Sequence, residues 1–231
     1  MEYTIVHATD PREGVRGGLS SPLVITGYVP MRFGVQVRYE GLNERLFLET
    51  LDLSPRIQDV YPQPFYFRFD GVSAKDRRYT PDYLVKYLPH RRLPAFRPML
   101  VEVKTLKELT ENKEYFRARF KVASQYCREL GWRFRVVTDA YLSKPYARNA
   151  RFLYSFTEIV HNPDTASRLK VSLAKQGRMS VIELLERNSG DLEERLTIQP
   201  VLWHLVATRQ VATSLGSPLN MNSTIWMPNH G

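Results

Sequence analysis

The sequence is poor in the residues that staple a chain or anchor it in a membrane. Cys127 is the one cysteine in 231 residues, so an intrachain disulfide is excluded. Its place in a helical pattern predicts a small buried side chain. The five histidines, His7, His90, His161, His204 and His230, are scattered, which leaves no Cys/His constellation of zinc-ligand spacing. No apolar run approaches the ~20 residues needed to cross a bilayer, and Met1 to His7 lacks the charged-then-apolar layout of a secretory leader. These absences predict a cytoplasmic protein with no membrane association. They also leave any metal to oxygen ligands, which suits magnesium, with manganese able to substitute.

What is present is enough to bury a core. Hydrophobic residues make up 43% of the chain and charged residues 25%, consistent with one large domain or a medium domain with a small companion. The net charge is +9 and the pI is near 9.7. The surplus is uneven, with +8 on residues 1–150 and +1 on residues 151–231. A basic domain fits a polyanionic substrate, because lysine and arginine bind phosphates and release counterions. A general surplus for solubility is the alternative.

The basic part also carries a pattern of charged residues. Pro81-Asp82 opens one apolar run, and Glu102-Val103-Lys104 closes another, with 20 positions between Asp82 and Glu102. This is a metal-dependent phosphodiesterase signature. Two carboxylates hold a divalent cation against a scissile phosphate, and a lysine positions water and offsets developing negative charge. Tyr79 to Tyr87 and Met99 to Lys104 both read as strands, rich in β-branched and aromatic residues. Period-two alternation places Glu102 and Lys104 on one face and Val101 and Val103 on the other. The alternative is an aspartate at a strand start and two ordinary solvent-facing residues.

Residues 1–38 read as irregular, with Arg16 to Pro22 as a loop and Val24 to Val29 as a possible edge strand. Glu44, Phe47, Leu48 and Leu51 then fall at i, i+3, i+4 and i+7, predicting a helix over residues 42–51. Spacing leaves Glu44 open between a helix-surface acid and an acid aimed into a cleft. Tyr61-Pro62-Gln63-Pro64 punctuates the chain. Phe65 to Phe69 reads as a strand turning at Asp70-Gly71 into a hairpin with residues 79–87, and residues 88–98 as a proline-spaced basic connection. A long helix over residues 111–130 is predicted to end at Gly131. Its apolar stripe is Phe116, Phe120, Ala123, Cys127 and Leu130, and its basic flank is Lys113, Arg117, Lys121 and Arg128, of which the first three are candidate DNA contacts. Residues 132–138 read as another strand, giving a mixed sheet flanked by helices.

The texture changes after residue 145. Ser180-Val181-Ile182-Glu183 is a capping box that opens a helix, and Pro200 fits the first turn of another. Val211 to Leu215 and Thr224 to Met227 read as short strands, so the tail is expected to be a small helical, winged-helix-like module. The expected division is residues 1–145 and 146–231.

Tyr39-Glu40-Gly41-Leu42-Asn43-Glu44-Arg45, Gln63-Pro64, Tyr79 to Val85 and Val101 to Lys104 together resemble TnsA, the endonuclease subunit of heteromeric transposases. The resemblance spans about residues 30–140, and the tail is loosely similar to the family's C-terminal helical domain. It implies an α/β restriction-endonuclease-like core of the PD-(D/E)xK type. It also implies Glu44 as a helix-borne acid, Asp82 as a metal ligand, Lys104 as the catalytic lysine and Glu102 in the acidic slot of the broader motif, with Val103 counted among the metal-site positions. Gly41 departs from the serine expected there. The implied activity is hydrolysis of the 5′ ends, the non-transferred strands, at transposon ends in double-stranded DNA. The implied partners are a DDE-type TnsB-like recombinase and an AAA+ TnsC-like ATPase that contacts the C-terminal part, which would place the protein at the nucleoid. A stand-alone restriction or repair nuclease of the same fold is the alternative enzyme, and a DNA-binding scaffold with structural carboxylates is the alternative of another class.

Overall fold

The computed structural model describes residues 2–15, 25–69, 78–89 and 96–228. The expected loop at Arg16 to Pro22, the Asp70-Gly71 turn and residues 90–95 of the basic connection lie outside these. The chain divides into two compact units, Met1–Leu142 and Ser143–Gly231.

The first unit opens with β1 (Tyr3–His7), β2 (Thr26–Pro30) and β3 (Gln36–Glu40), followed by α1 (Leu42–Asp52), β4 (Ile57–Pro62), β5 (Phe65–Phe69), β6 (Arg78–Tyr79), β7 (Tyr83–Tyr87) and β8 (Met99–Val103). Helices α2 (Leu106–Glu111) and α3 (Lys113–Glu129), strand β9 (Arg133–Val137) and helix α4 (Asp139–Leu142) complete it. The central sheet has the order β4-β7-β8-β9, antiparallel except for the parallel β8/β9 pair. A parallel pair needs a long crossover, and α2 and α3 supply it. The result is a mixed sheet flanked by helices. Smaller sheets form from β1-β5-β6 and from β2-β3.

Burial follows from position in the sheet. Every residue of β8 is buried, as expected of a strand with neighbours on both sides and cover on both faces. Phe65, Phe67, Phe69, Tyr79, Leu84 and Leu100 pack with Val122, Ala123 and Cys127 of α3 into one core cluster. The predicted α3 stripe is therefore the packing face, except that Leu130 is exposed.

Several sequence expectations are corrected. The described residues before 39 are not all irregular: β1 pairs antiparallel with β5 from Tyr3↔Phe69 to His7↔Phe65, while the possible edge strand at Val24 to Val29 is seen as β2, at Thr26–Pro30 and paired with β3 in a two-stranded sheet. The expected hairpin between residues 65–69 and 79–87 is limited to β5 with the two residues of β6. The chain then leaves that sheet at Thr80-Pro81-Asp82, and β7 pairs instead with β4 and β8. The helix expected over residues 111–130 is α3, which runs from Lys113 to Glu129 with Gly131 just past its C-cap at φ 68°, and a short helix not expected from sequence, α2, precedes it. Helix α2 begins at a capping box in which Thr105 Oγ1 accepts the Glu108 N–H and the Glu108 side chain accepts the Thr105 N–H.

The second unit contains α5 (Pro145–Tyr154), α6 (Pro163–Gln176), β10 (Met179–Ser180), α7 (Val181–Arg187), α8 (Leu192–Ala207), β11 (Ala212–Thr213) and β12 (Thr224–Trp226). Its sheet has the order β10-β12-β11, with α6 before it and α7 and α8 between its first two strands in sequence. The Ser180 capping box is present. Pro200 does not start a helix but lies inside α8, whose N-cap is Asp191, its side chain accepting the Glu194 N–H at 2.8 Å. The C-terminal half of α8 is buried on all sides, and this packing sustains a proline that removes one helical hydrogen bond.

Candidate active site

Asp82 stands at the entrance to β7, where the sheet fixes its backbone. Its N–H donates to the Val101 carbonyl at 3.0 Å, and its carbonyl accepts the Gln63 N–H at 2.7 Å. Its carboxylate points along the neighbouring strand end, where Oδ2 accepts the Val103 N–H at 2.7 Å. Lys104 is the first residue past β8, and its N–H extends the parallel ladder to the Val137 carbonyl at 3.0 Å. Its ammonium lies 2.9 Å from Glu102 Oε1, 3.3 Å from Asp82 Oδ2 and 3.0 Å from the Val103 carbonyl oxygen. The predicted alternation thus holds for Glu102 and Lys104, whose side chains meet on one face.

Glu102 is only 2% exposed. Lys104 holds one of its oxygens, and the Tyr79 hydroxyl donates to the other at 2.9 Å. It therefore lies beneath the lysine rather than on the open surface. Glu44 comes from the first turn of α1. The helix starts at Gly41 with φ 106°, a conformation that disfavours a side chain, which accounts for the glycine where serine was expected. With no side-chain cap at Gly41, Glu44 turns back and accepts the Glu40 N–H at 2.8 Å, which aims its carboxylate off the helix surface. The Tyr83 hydroxyl lies 2.8 Å from Glu44 Oε2 and 3.0 Å from the Arg38 carbonyl. One phenolic proton thus faces two acceptors. The structure places Glu44 facing the site and not on the outer surface of the helix.

A cleft of about 470 Å³ opens beside these groups, lined by Glu40, Gly41, Glu44, Val103, Lys104 and Glu108 among others. Lys113, Arg117 and Lys121 are exposed on α3, and none of them lines it. Sequence reasoning missed Tyr79 and Tyr83, which orient the two glutamates, and Glu108 at the rim. Tyr79 and Tyr83 do flank Pro81-Asp82 in the motif, and the Thr105…Glu108 capping spacing was legible.

Electrostatics mark the cluster as short of positive charge. Burial, and then the charge of Asp82, pushes the Glu44 carboxyl up to about 8 and the Glu102 carboxyl up to about 7. Lys104 is held well above its ordinary value, because Asp82 and Glu102 outweigh the opposing effect of burial. Three carboxylates thus share one ammonium. Among the described residues no three His, Cys, Asp or Glu side chains form a ready coordination cage, since the oxygens face Lys104, Tyr79 and Tyr83. The donor chemistry nevertheless fits a hard divalent cation, with oxygen ligands only and two raised carboxyls that such an ion would draw into their charged form.

Residues 54–139 match the family model described as TnsA-like endonuclease N terminal. Over these residues the chain is similar to a TnsA-like endonuclease domain. The match includes Asp82, Glu102 and Lys104 on the central sheet, while Glu44 on α1 lies before its start. No curated protein matches the chain significantly. The mixed sheet flanked by helices described above is consistent with the restriction-endonuclease-like fold of such a domain.

Proposed function

We propose that the chain is a divalent-cation-dependent DNA endonuclease subunit of a heteromeric transposase, hydrolysing the non-transferred 5′-end strands at transposon ends. The observation that carries this reading is the meeting of Asp82, Glu102 and Lys104 on adjacent strand ends inside the TnsA-like domain, with Glu44 brought in from α1. Asp82, Glu44 and Glu102, with the Val103 position between the last of these and Lys104, would hold magnesium or manganese. Such an ion supplies charge to the scissile phosphate and lowers the pKa of a bound water.

The chain's own groups do the positioning. The Val103 N–H fixes the Asp82 carboxylate, Tyr79 fixes Glu102 and Tyr83 fixes Glu44. Lys104, at the cleft wall, orients the attacking water and offsets charge on the phosphate as it develops. Lys113, Arg117 and Lys121 on the exposed side of α3 supply sequence-independent phosphate contacts. The second unit serves as the docking module for the AAA+ ATPase and the DDE-type recombinase.

Purified chain, combined with its recombinase and ATPase partners on a transposon-end duplex in magnesium, is expected to nick the 5′-end strands. Asp82→Ala and Lys104→Ala should each lower the rate by about 100-fold or more while leaving the melting curve in place. EDTA should abolish cleavage. Wild-type rates from Asp82→Ala would remove the catalytic assignment and leave a DNA-binding scaffold.

A further inference from the structure

Asp82 and Glu44 also line a second, much smaller cavity. Its volume is about 10 Å³, and its walls include Arg38, Gln63, Glu44, Asp82 and Tyr83. Two of these wall residues carry buried polar atoms without a hydrogen-bond partner, Arg38 Nη1 and Gln63 Oε1. Both side chains belong to residues more than nine-tenths buried. One atom is a donor and the other an acceptor, and an unmet buried polar group is costly.

The backbone at Gln63 is also unusual. Its φ of 40° lies in the left-handed region that non-glycine residues rarely adopt. Three contacts hold it there. The Gln63 N–H donates to the Asp82 carbonyl at 2.7 Å, and the Gln63 carbonyl accepts the Val15 N–H at 3.0 Å. Gly14 is pressed so closely that a Cβ there would lie 2.8 Å from the Pro62 carbonyl and 3.0 Å from Gln63 Cβ. Strained residues held by their surroundings concentrate at functional sites.

We propose that Arg38 and Gln63 hold one buried water against the Asp82 and Glu44 carboxylates, and that Gln63 is a positioning residue for the cation site. The volume suits a single water, which requires roughly 10–15 Å³ and two to four polar partners. The arginine disfavours a second cation at this point, and a volume of about 10 Å³ has no room for a phosphate. The water accepts from Arg38 Nη1–H, donates one hydrogen to Gln63 Oε1 and has its second hydrogen for a carboxylate oxygen. Lys104 and the Val103 N–H hold Asp82 from one side, and the water braces the carboxylates from the other. The positioning role rests on the cation-site reading given above, whereas the water itself does not.

Two measurements on the full chain test this. A high-resolution crystal structure without DNA should show a water within hydrogen-bond distance of both Arg38 and Gln63, and a dry cavity overturns the proposal. Titration with Mn²⁺ alone, followed calorimetrically, tests the positioning. Gln63→Gly accepts the left-handed backbone but removes the amide, so it should melt no lower than the wild type while binding Mn²⁺ about 10- to 100-fold more weakly. Gln63→Asn tolerates the same backbone and retains an amide, and should recover part of the affinity. Wild-type affinity in Gln63→Gly, beside a clear loss in Asp82→Ala, overturns the positioning role alone. Wild-type affinity in Asp82→Ala instead overturns the cation site, and the role of Gln63 with it, while the crystallographic water is judged separately.

Discussion

At Cys127 the surrounding core sets the chemistry of the side chain. The thiol is 1% exposed among Phe65, Phe67 and Leu100, and burial pushes it up to about 12. The thiolate is the reactive form, so the native protein is expected to be inert to thiol reagents at pH 8. Labelling with a chromogenic disulfide across a urea titration checks this, and modification should track unfolding of the first unit rather than precede it. The glutamates of the site respond to burial in the same direction for the same reason, with one difference. Glu102 and Glu44 have neighbours of both signs, so the tyrosines and Lys104 determine where each oxygen points. The residue types and their spacing picked out Asp82, Glu102 and Lys104, whose side chains the structure brings together. The hydroxyl partners could not be seen, because Tyr79 reaches Glu102 across 23 positions and Tyr83 reaches Glu44 across 39.

Among the elements, strand β4 shows how a surface ion pair can pin an irregular segment to a sheet. Arg12 grips Asp59 with two hydrogen bonds of 2.6 and 2.7 Å and lies over the Tyr61 ring at 4.9 Å. Burial pushes the Asp59 carboxyl up, but hydrogen bonds from Arg12 and Tyr61 and the guanidinium charge outweigh it, so the carboxyl is held below its ordinary value. A depressed carboxyl stabilises the fold at pH above its unfolded value of about 3.9, and that contribution fades as pH falls through the folded value. Arg12→Met should therefore melt below the wild type at pH 6, and the gap should close toward pH 2 to 3. Thermal melts of both proteins across that range measure it. Element β4 was itself missed from sequence. Helix α1 and strand β8 were legible because their patterns are local, the first at period 3.6 and the second as a β-branched run ending in Glu-Val-Lys. Strands β1, β3 and β4 acquire their identity from partners elsewhere in the chain, such as Tyr3 opposite Phe69. The interior Pro200 is a further case in which tertiary packing overrode a local signal.

For the whole molecule, the positive charge is concentrated toward the part that carries the site, with +8 on residues 1–150 against +1 on the remainder. The chain divides into its two compact units between Leu142 and Ser143, and each has its own buried residues and sheet. A chain ending at Leu142 is expected to keep a cooperative melt and its Mn²⁺ affinity while failing to retain the ATPase in a pull-down. Partner capture by the shortened chain would move the docking surface into the first unit. A lost melting transition would instead show that the first unit depends on the second for burial. No helix among the described residues is long and apolar enough to cross a membrane.

The parallel seam between β8 and β9 also governs when the site can exist. Met99 pairs with Arg133 and Val103 with Val137, and the Lys104 backbone is tied to that same last residue. A nascent chain that has released only residues up to about 105 already contains every acidic and basic member of the cluster. It lacks the strand against which Lys104 is aligned. Such long-range parallel pairing forms late, because a crossover of some thirty residues must close first. On the proposed function, a chain interrupted on the ribosome or trapped midway is therefore expected to carry the full set of proposed site residues without cleaving DNA, which a ribosome-stalled chain ending near residue 105 would test in the nicking assay.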